Sequence, residues 1–62
     1  MMYSAYAYDK DTHDIVAISI NNTCAGCLDA MIDAGYIGTN DYEISFSLHG
    51  LNLSNDALIL TA

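Results

Sequence analysis

The spacing of hydrophobic and polar residues changes character along the chain, and each change marks an element. The segment "YSAYAY" (3–8) interleaves tyrosines with small residues in a strand-like composition. Next comes "DKDTHD" (9–14), a polar cluster of the turn-forming kind, whose Asp side chains bond nearby backbone amides. The β-branched run "IVAISI" (15–20) reads as a second, more buried strand. Two apolar runs joined by a short polar cluster predict an antiparallel hairpin.

At Asn21-Asn22-Thr23 the period switches. Thr23 or Asn22 is placed to cap a helix by accepting a bond from an early amide. Apolar residues then fall at 24, 27, 28, 31 and 32, a helical stripe that predicts a helix over 23–34. Asp29 and Asp33, spaced i and i+4, share the opposite, solvent-facing side. Gly35 is a natural terminator in the left-handed conformation.

A connection at 36–41 leads into "YEISFSLHG" (42–50), which alternates. Tyr42, Ile44, Phe46 and Leu48 lie on one face, with Glu43, Ser45, Ser47 and His49 on the other, as in a half-buried strand. Gly50 is placed to bend this strand, and Leu51 and Leu53 to extend it. After "SND" (54–56), the run "ALILTA" (57–62) predicts a last strand, with a short helix as the alternative. The order β-β-α-β-β predicts one α+β domain spanning 1–62, an antiparallel sheet of about four strands with the helix packed on one face. Its expected core is Ile18, Ile20, Leu28, Met31, Ile32, Ile44, Phe46, Leu48 and Leu58.

Composition supports a folded chain. It is 53% hydrophobic, contains no Pro and has no low-complexity run, whereas disordered chains are poor in apolar residues. Charge narrows the partners. Eight acidic residues face one Lys, for a net charge of −7. Such a surface argues against binding nucleic acid directly or an anionic membrane, because both need cationic side chains to neutralise phosphates. It favours solubility and basic partners. The sequence opens with no basic, apolar targeting pattern and contains no apolar run of membrane-spanning length, so a cytoplasmic protein is expected.

The one stretch resembling reactive chemistry is Cys24-Ala-Gly-Cys27 at the predicted helix start. Three readings compete. A helix N-terminus stabilises a thiolate, which suits a redox pair. Thioredoxin-like proteins, however, place the motif after a strand of a βαβ unit, in a larger chain. A zinc site needs four ligands, and only His13 and His49 remain, too isolated to form the usual second pair. The third reading, two small hydrophobes facing the core, fits best, since both thiols fall on the stripe with Leu28 and Met31. No cofactor or metal is expected. Paired carboxylates such as Asp9/Asp11 and Asp29/Asp33 perform acid–base chemistry only in a cleft that excludes water, for which so short a chain has little room. An enzyme is not expected.

The acidic residues instead suggest a binding surface. Asp9, Asp11 and Asp14 occupy the hairpin turn, Asp29 and Asp33 the helix, and Asp41 and Glu43 the entry to the third strand. A field of one sign speeds encounter with a basic groove. Tyr6, Tyr8 and Tyr36 are candidate aromatic anchors, because tyrosine concentrates binding energy at interfaces. A homodimer through an uncovered sheet face is the alternative use of these rings.

In size, acidity and layout, a chain carrying "DKDTHD", "LDAMIDAG" and "TNDYE" resembles the small phage-encoded anti-CRISPR proteins. That group shares no single motif, so the resemblance transfers no residue roles. It implies stoichiometric, non-catalytic inhibition in the cytoplasm of an infected bacterium. The partner implied is a basic nucleic-acid-binding protein such as a Cas effector subunit, blocked where target DNA or guide RNA sits.

Overall fold

The computed structural model describes residues 1–61, in the order β1 (Tyr3–Asp9), β2 (Ile15–Asn21), α1 (Cys24–Asp33), β3 (Tyr42–Ser45) and β4 (Leu58–Thr61). The predicted α+β class, with four strands and one helix in that sequence order, is what the chain forms. Ala62, the end of the predicted last strand, lies outside the described residues.

The strands make one sheet in the order β3-β1-β2-β4. β1 pairs antiparallel with β2 and with β3, but β2 pairs parallel with β4. The sheet is therefore mixed where a purely antiparallel one was expected, with β1 running against the other three strands. The connections explain this. A parallel neighbour requires a crossover of about a dozen residues, and the irregular segment between β3 and β4 is long enough to carry the chain from one edge of the sheet to the other.

The turn between β1 and β2 is built from its own side chains. Asp9 Oδ1 accepts from the amides of Asp11 and Thr12, at 2.8 and 3.1 Å. The Asp14 amide donates to Thr12 Oγ1 at 3.2 Å. His13 takes a φ of 64°, in the left-handed region that His tolerates better than β-branched residues do. Register shifts between Ala7, opposite Ala17, and Tyr8, opposite Ile15, so Val16 has no partner of its own.

α1 begins and ends as its sequence predicts. Thr23 is the N-cap, its Oγ1 accepting from the Gly26 amide at 2.9 Å. Gly35, at φ 85°, donates to the Ile32 carbonyl, and Tyr36 donates to that of Met31, both at 3.0 Å. That pair of bonds satisfies carbonyls the last turn would otherwise leave open.

Beneath α1 the sheet presents its smallest side chains. Ala5, Ala7, Ala17, Cys27 and Met31 form the buried cluster, and Val16, Tyr36, Ile44 and Leu60 pack against it. Ser19 and Ile15 are also fully buried, Ile15 outside that cluster. Of the expected core, Met31 is buried, while Ile18, Leu28 and Ile44 are half-buried. Ile20, Ile32, Phe46, Leu48 and Leu58 are exposed, which corrects the sequence reading. For Ile20 the physical reason is phase, whereas Leu58 shares the helix-facing row with Ala17 but sits at the sheet edge. "IVAISI" is apolar at nearly every position and fixes no face, and the helix packs on the Ala17 and Ser19 side. A strand's alternate residues point to opposite faces, so Tyr6 and its cross-strand partner Ile18 lie on the uncovered side, and Ile59 continues that row from β4.

β3 is also shorter than its alternating pattern. Ser45 Oγ accepts from the Ser47 amide at 3.0 Å and donates to its carbonyl at 2.8 Å. Ser47 Oγ accepts from the His49 amide at 3.1 Å. Serine side chains thus take backbone groups that a continuing strand would pair. Gly50, at φ 78°, and the Leu51-to-Leu48 bond turn the chain, so neither Leu51 nor Leu53 extends a strand.

Candidate functional site

Five of the acidic candidates meet at one end of the sheet. Pairing of β3 with β1 sets Tyr42 opposite Asp9 and Glu43 opposite Tyr8. The Lys10 amide donates to the Asp41 carbonyl at 3.2 Å. Asp9, Asp11 and Asp14 of the turn therefore sit beside Asp41 and Glu43, although the two groups lie far apart in sequence. Sequence reading had them as separate clusters, because nothing in the chain announces that β3 pairs with β1.

Within this end the carboxylates divide by task. Asp9 holds the turn, Asp14 Oδ1 accepts from Asn52 Nδ2 at 3.2 Å, and Glu43 accepts from the Tyr8 hydroxyl at 2.7 Å. Lys10 reaches Glu43 only at 4.0 Å, with both side chains substantially exposed, a pair worth little in water. Among the described residues, the Asp11 and Asp41 carboxylates have neither a hydrogen-bond nor an ion-pair partner. They are the groups left available to a cationic partner. The bond to Glu43, with some burial and that carboxylate's charge, holds the Tyr8 phenol above the ordinary tyrosine value of 10.0.

The aromatic candidates differ in what they can offer. Tyr6 and Tyr8 are half-buried on the sheet face that the helix leaves uncovered, and Tyr8 also meets the His13 ring edge-on at 5.7 Å. Tyr36 packs against the helix-side core and meets Tyr42 edge-on at 5.2 Å. Its ring is committed to packing there.

Asn52 is a residue that sequence reasoning missed. Its amide donates to the His13 carbonyl at 2.9 Å, and its carbonyl accepts from the Ile15 amide at 2.8 Å. Its side chain adds bonds to the Thr12 carbonyl at 3.1 Å and to Asp14. These four bonds tie the β3–β4 crossover to the acidic turn. The only signal was an Asn interrupting leucines in "LNLS", indistinguishable from a turn residue.

Asp29 and Asp33 stand apart from the acidic end. They are exposed on α1 and line an open groove of about 730 Å³ between the helix and β4. Among the described residues neither carboxylate has a partner.

The cysteines separate as well. Cys27 is buried, and its thiol donates to the Tyr3 carbonyl at 3.3 Å. Cys24 is exposed, which corrects the expectation that both pack inward. As the first residue of α1, it lies a turn too early for the sheet to cover it. Among the described residues no group of three or more His, Cys, Asp or Glu side chains is gathered to hold a metal ion. Nor is any helix there long and apolar enough to cross a membrane.

No family model matches the chain, and no significant match to it was found among curated proteins or solved structures.

Proposed function

We propose that this chain is a small acidic, non-enzymatic binding protein that occupies a basic nucleic-acid-binding site on a partner protein. The observation that carries this reading is the carboxylate end: Asp9, Asp11, Asp14, Asp41 and Glu43 at one end of the sheet, offset by Lys10 alone. Coulomb attraction between such an end and a Lys- and Arg-lined groove steers encounter and disfavours acidic competitors. Asp11 and Asp41 supply the ion pairs, while Asp9 and Asp14 keep the turn in shape and Glu43 holds Tyr8. Tyr8, at the margin of the same end, adds aromatic area.

The resemblance to small anti-CRISPR proteins makes a Cas effector complex in a bacterial cytoplasm the first partner to test. Tagged protein is mixed with bacterial lysate expressing CRISPR effectors, at low and then at high salt, and the retained complex is challenged with target DNA. Retention of a stoichiometric effector that salt weakens, that DNA displaces and that Asp11→Asn/Asp41→Asn loses is the expected result. Retention that neither DNA nor that double substitution alters would refute occupation of a nucleic-acid site by this end.

The competing reading is self-association through the uncovered sheet face, favoured by the Tyr6–Ile18–Ile59 row. A solution mass that doubles with concentration, and that Ile18→Ser restores to the monomer, would select it.

A further inference from the structure

We infer that the outer edge of β4, together with the groove beside α1, is a docking site for an extended, cationic segment of another protein, which adds to the sheet as a fifth strand. This surface is distinct from the carboxylate end, and the inference does not depend on that end's function.

β4 is an edge strand, paired with β2 on one side and with nothing on the other among the described residues. An edge strand offers a row of unpaired amides and carbonyls, and natural proteins blunt such edges with lysine, proline, bulges or a covering element. Among the described residues none of these is present at β4. The strand reads Leu-Ile-Leu-Thr, the chain has no proline, and its one lysine is at the other end of the fold. Leu58 and Ile59 are 57% and 58% exposed. An uncovered apolar edge of this kind is the template used in recognition by strand addition, where main-chain bonds give affinity and flanking pockets give specificity.

The groove supplies the flank. Its strand side is Leu60, in the helix-facing row with Ser19, and Ile59 at the sheet margin; Ala30, Asp29 and Asp33 line its helix side, and Asn21 of β2 lines it as well. Gly26, Ala30 and Ala34 are small and leave room for a chain to lie alongside. The Asp29 and Asp33 carboxylates, one turn apart and without partners among the described residues, set the occupant's charge: Lys or Arg side chains alternating with apolar ones. A second copy of this chain is the wrong chemistry, because each copy carries −7 and a single lysine. Like charges brought together at an interface oppose association.

The test uses the intact chain and a blocked, fluorescein-labelled nonapeptide of alternating Lys and Val. Two comparison peptides accompany it, one of identical charge with its central valines replaced by proline, the other alternating Glu and Val. Binding is read by anisotropy, and backbone amide exchange at 58–61 is read by NMR. Asp29 and Asp33 are exposed, so Asp29→Asn/Asp33→Asn leaves the fold intact. Asp11→Asn/Asp41→Asn removes the same charge from the other end. The inference expects the Lys–Val peptide alone to bind and to slow exchange at 58–61. It expects about tenfold weaker binding for the helix pair and less than about threefold for the distant pair. Equal loss from both pairs, or equal binding of the proline peptide, would show unspecific attraction to an acidic protein and overturn it. Absence of binding by the Lys–Val peptide overturns it too. So does protection of 58–61 that rises with protein concentration in the absence of peptide, which would make a second copy the occupant.

Discussion

Ser19 carries the sharpest energetic prediction. It is fully buried, opposite Ala5 on β1 and Leu60 on β4, and its hydroxyl reaches no hydrogen-bond partner among the described residues. Burying a hydroxyl without a partner costs roughly 1–3 kcal/mol, judged from substitutions in proteins. Ser19→Ala removes that cost. It also forfeits the contacts of one oxygen atom, each worth only about 0.1–0.2 kcal/mol. Net stabilisation of about 1 kcal/mol is expected, the low end of the range because the lost contacts and the gap left by the oxygen work against it.

For a domain of this size, about 1 kcal/mol moves the melting temperature by roughly 4–8 °C. Urea unfolding followed by circular dichroism checks the free energy, and an unchanged slope with denaturant confirms that the exposed surface is the same. Ser19→Val serves as the opposite control. Its extra methyl groups must fit between Ala5 and Leu60 under the helix, and overpacking of that kind costs about 1–3 kcal/mol. If Ser19→Ala is instead less stable by about 0.5 kcal/mol or more, beyond the usual spread of neutral changes, the hydroxyl is hydrogen-bonded and the reasoning fails.

Thiol labelling of the native protein should modify one cysteine, Cys24, with Cys27 reacting only on unfolding; Cys27→Ala should cost about 1–2 kcal/mol and Cys24→Ser within about 0.5. His13→Gly should leave stability unchanged or raise it, because glycine accepts φ 64° without strain, whereas His13→Val should lower it by about 1–2 kcal/mol in a denaturant titration. Tyr8, assigned by its loss in Tyr8→Phe, should ionise above the ordinary value of 10.0 in an ultraviolet titration, and Glu43→Gln should bring it back towards that value. Since folding raises this pKa, the bond's contribution is fully present below pH 10 and is lost as pH rises through the folded value, so urea titrations should show the stability gap between the parent and Glu43→Gln widest below pH 10 and closing as pH rises through that value.

What the sequence disclosed was local. The Asp-rich turn, the Thr23 cap and the Gly35 terminator each act through bonds to residues a few positions away, so a short window contains the whole cause. The helix followed from its period. The phase of β2 was hidden, because Ile18 and Ile20 look more core-like than Ala17 and Ser19, yet the helix sits on the latter. Small side chains there let α1 approach the sheet closely, a fact about two elements together and not about either one. The parallel pairing of β4 was equally hidden, since alternation says nothing of direction. Phe46 and Leu48 continued a strand pattern that Ser45 and Ser47 end by bonding backbone groups locally. For the candidate site, the residue types were legible and their assembly was not. Asp41 and Glu43 join the turn only through the register of β3 on β1, and Asn52 gains its role only from the path of the crossover.

The distribution of bulk in this sheet bears on how the domain meets a partner. Under the helix the sheet presents alanines and a serine, while Tyr6, Ile18, Ile20 and Ile59 belong to the face with no helix. Hydrophobic stabilisation scales with apolar area removed from water, at about 25 cal/mol per Å², so the larger gain is still available on the uncovered side. The free chain leaves that gain unused, and its core is small for the sheet it supports. Binding along the open face or the β4 edge would bury apolar area without rearranging the core, and any such binding stabilises the fold by mass action. A partner that engages only the carboxylate end gains charge pairing and no apolar burial, so its grip should fall steeply with salt. One seated on the β4 edge should lose only about the tenfold owed to Asp29 and Asp33 when salt is raised, because its main-chain bonds and its contacts with leucine and isoleucine do not depend on screening. Salt dependence therefore distinguishes the two surfaces on any partner that is found.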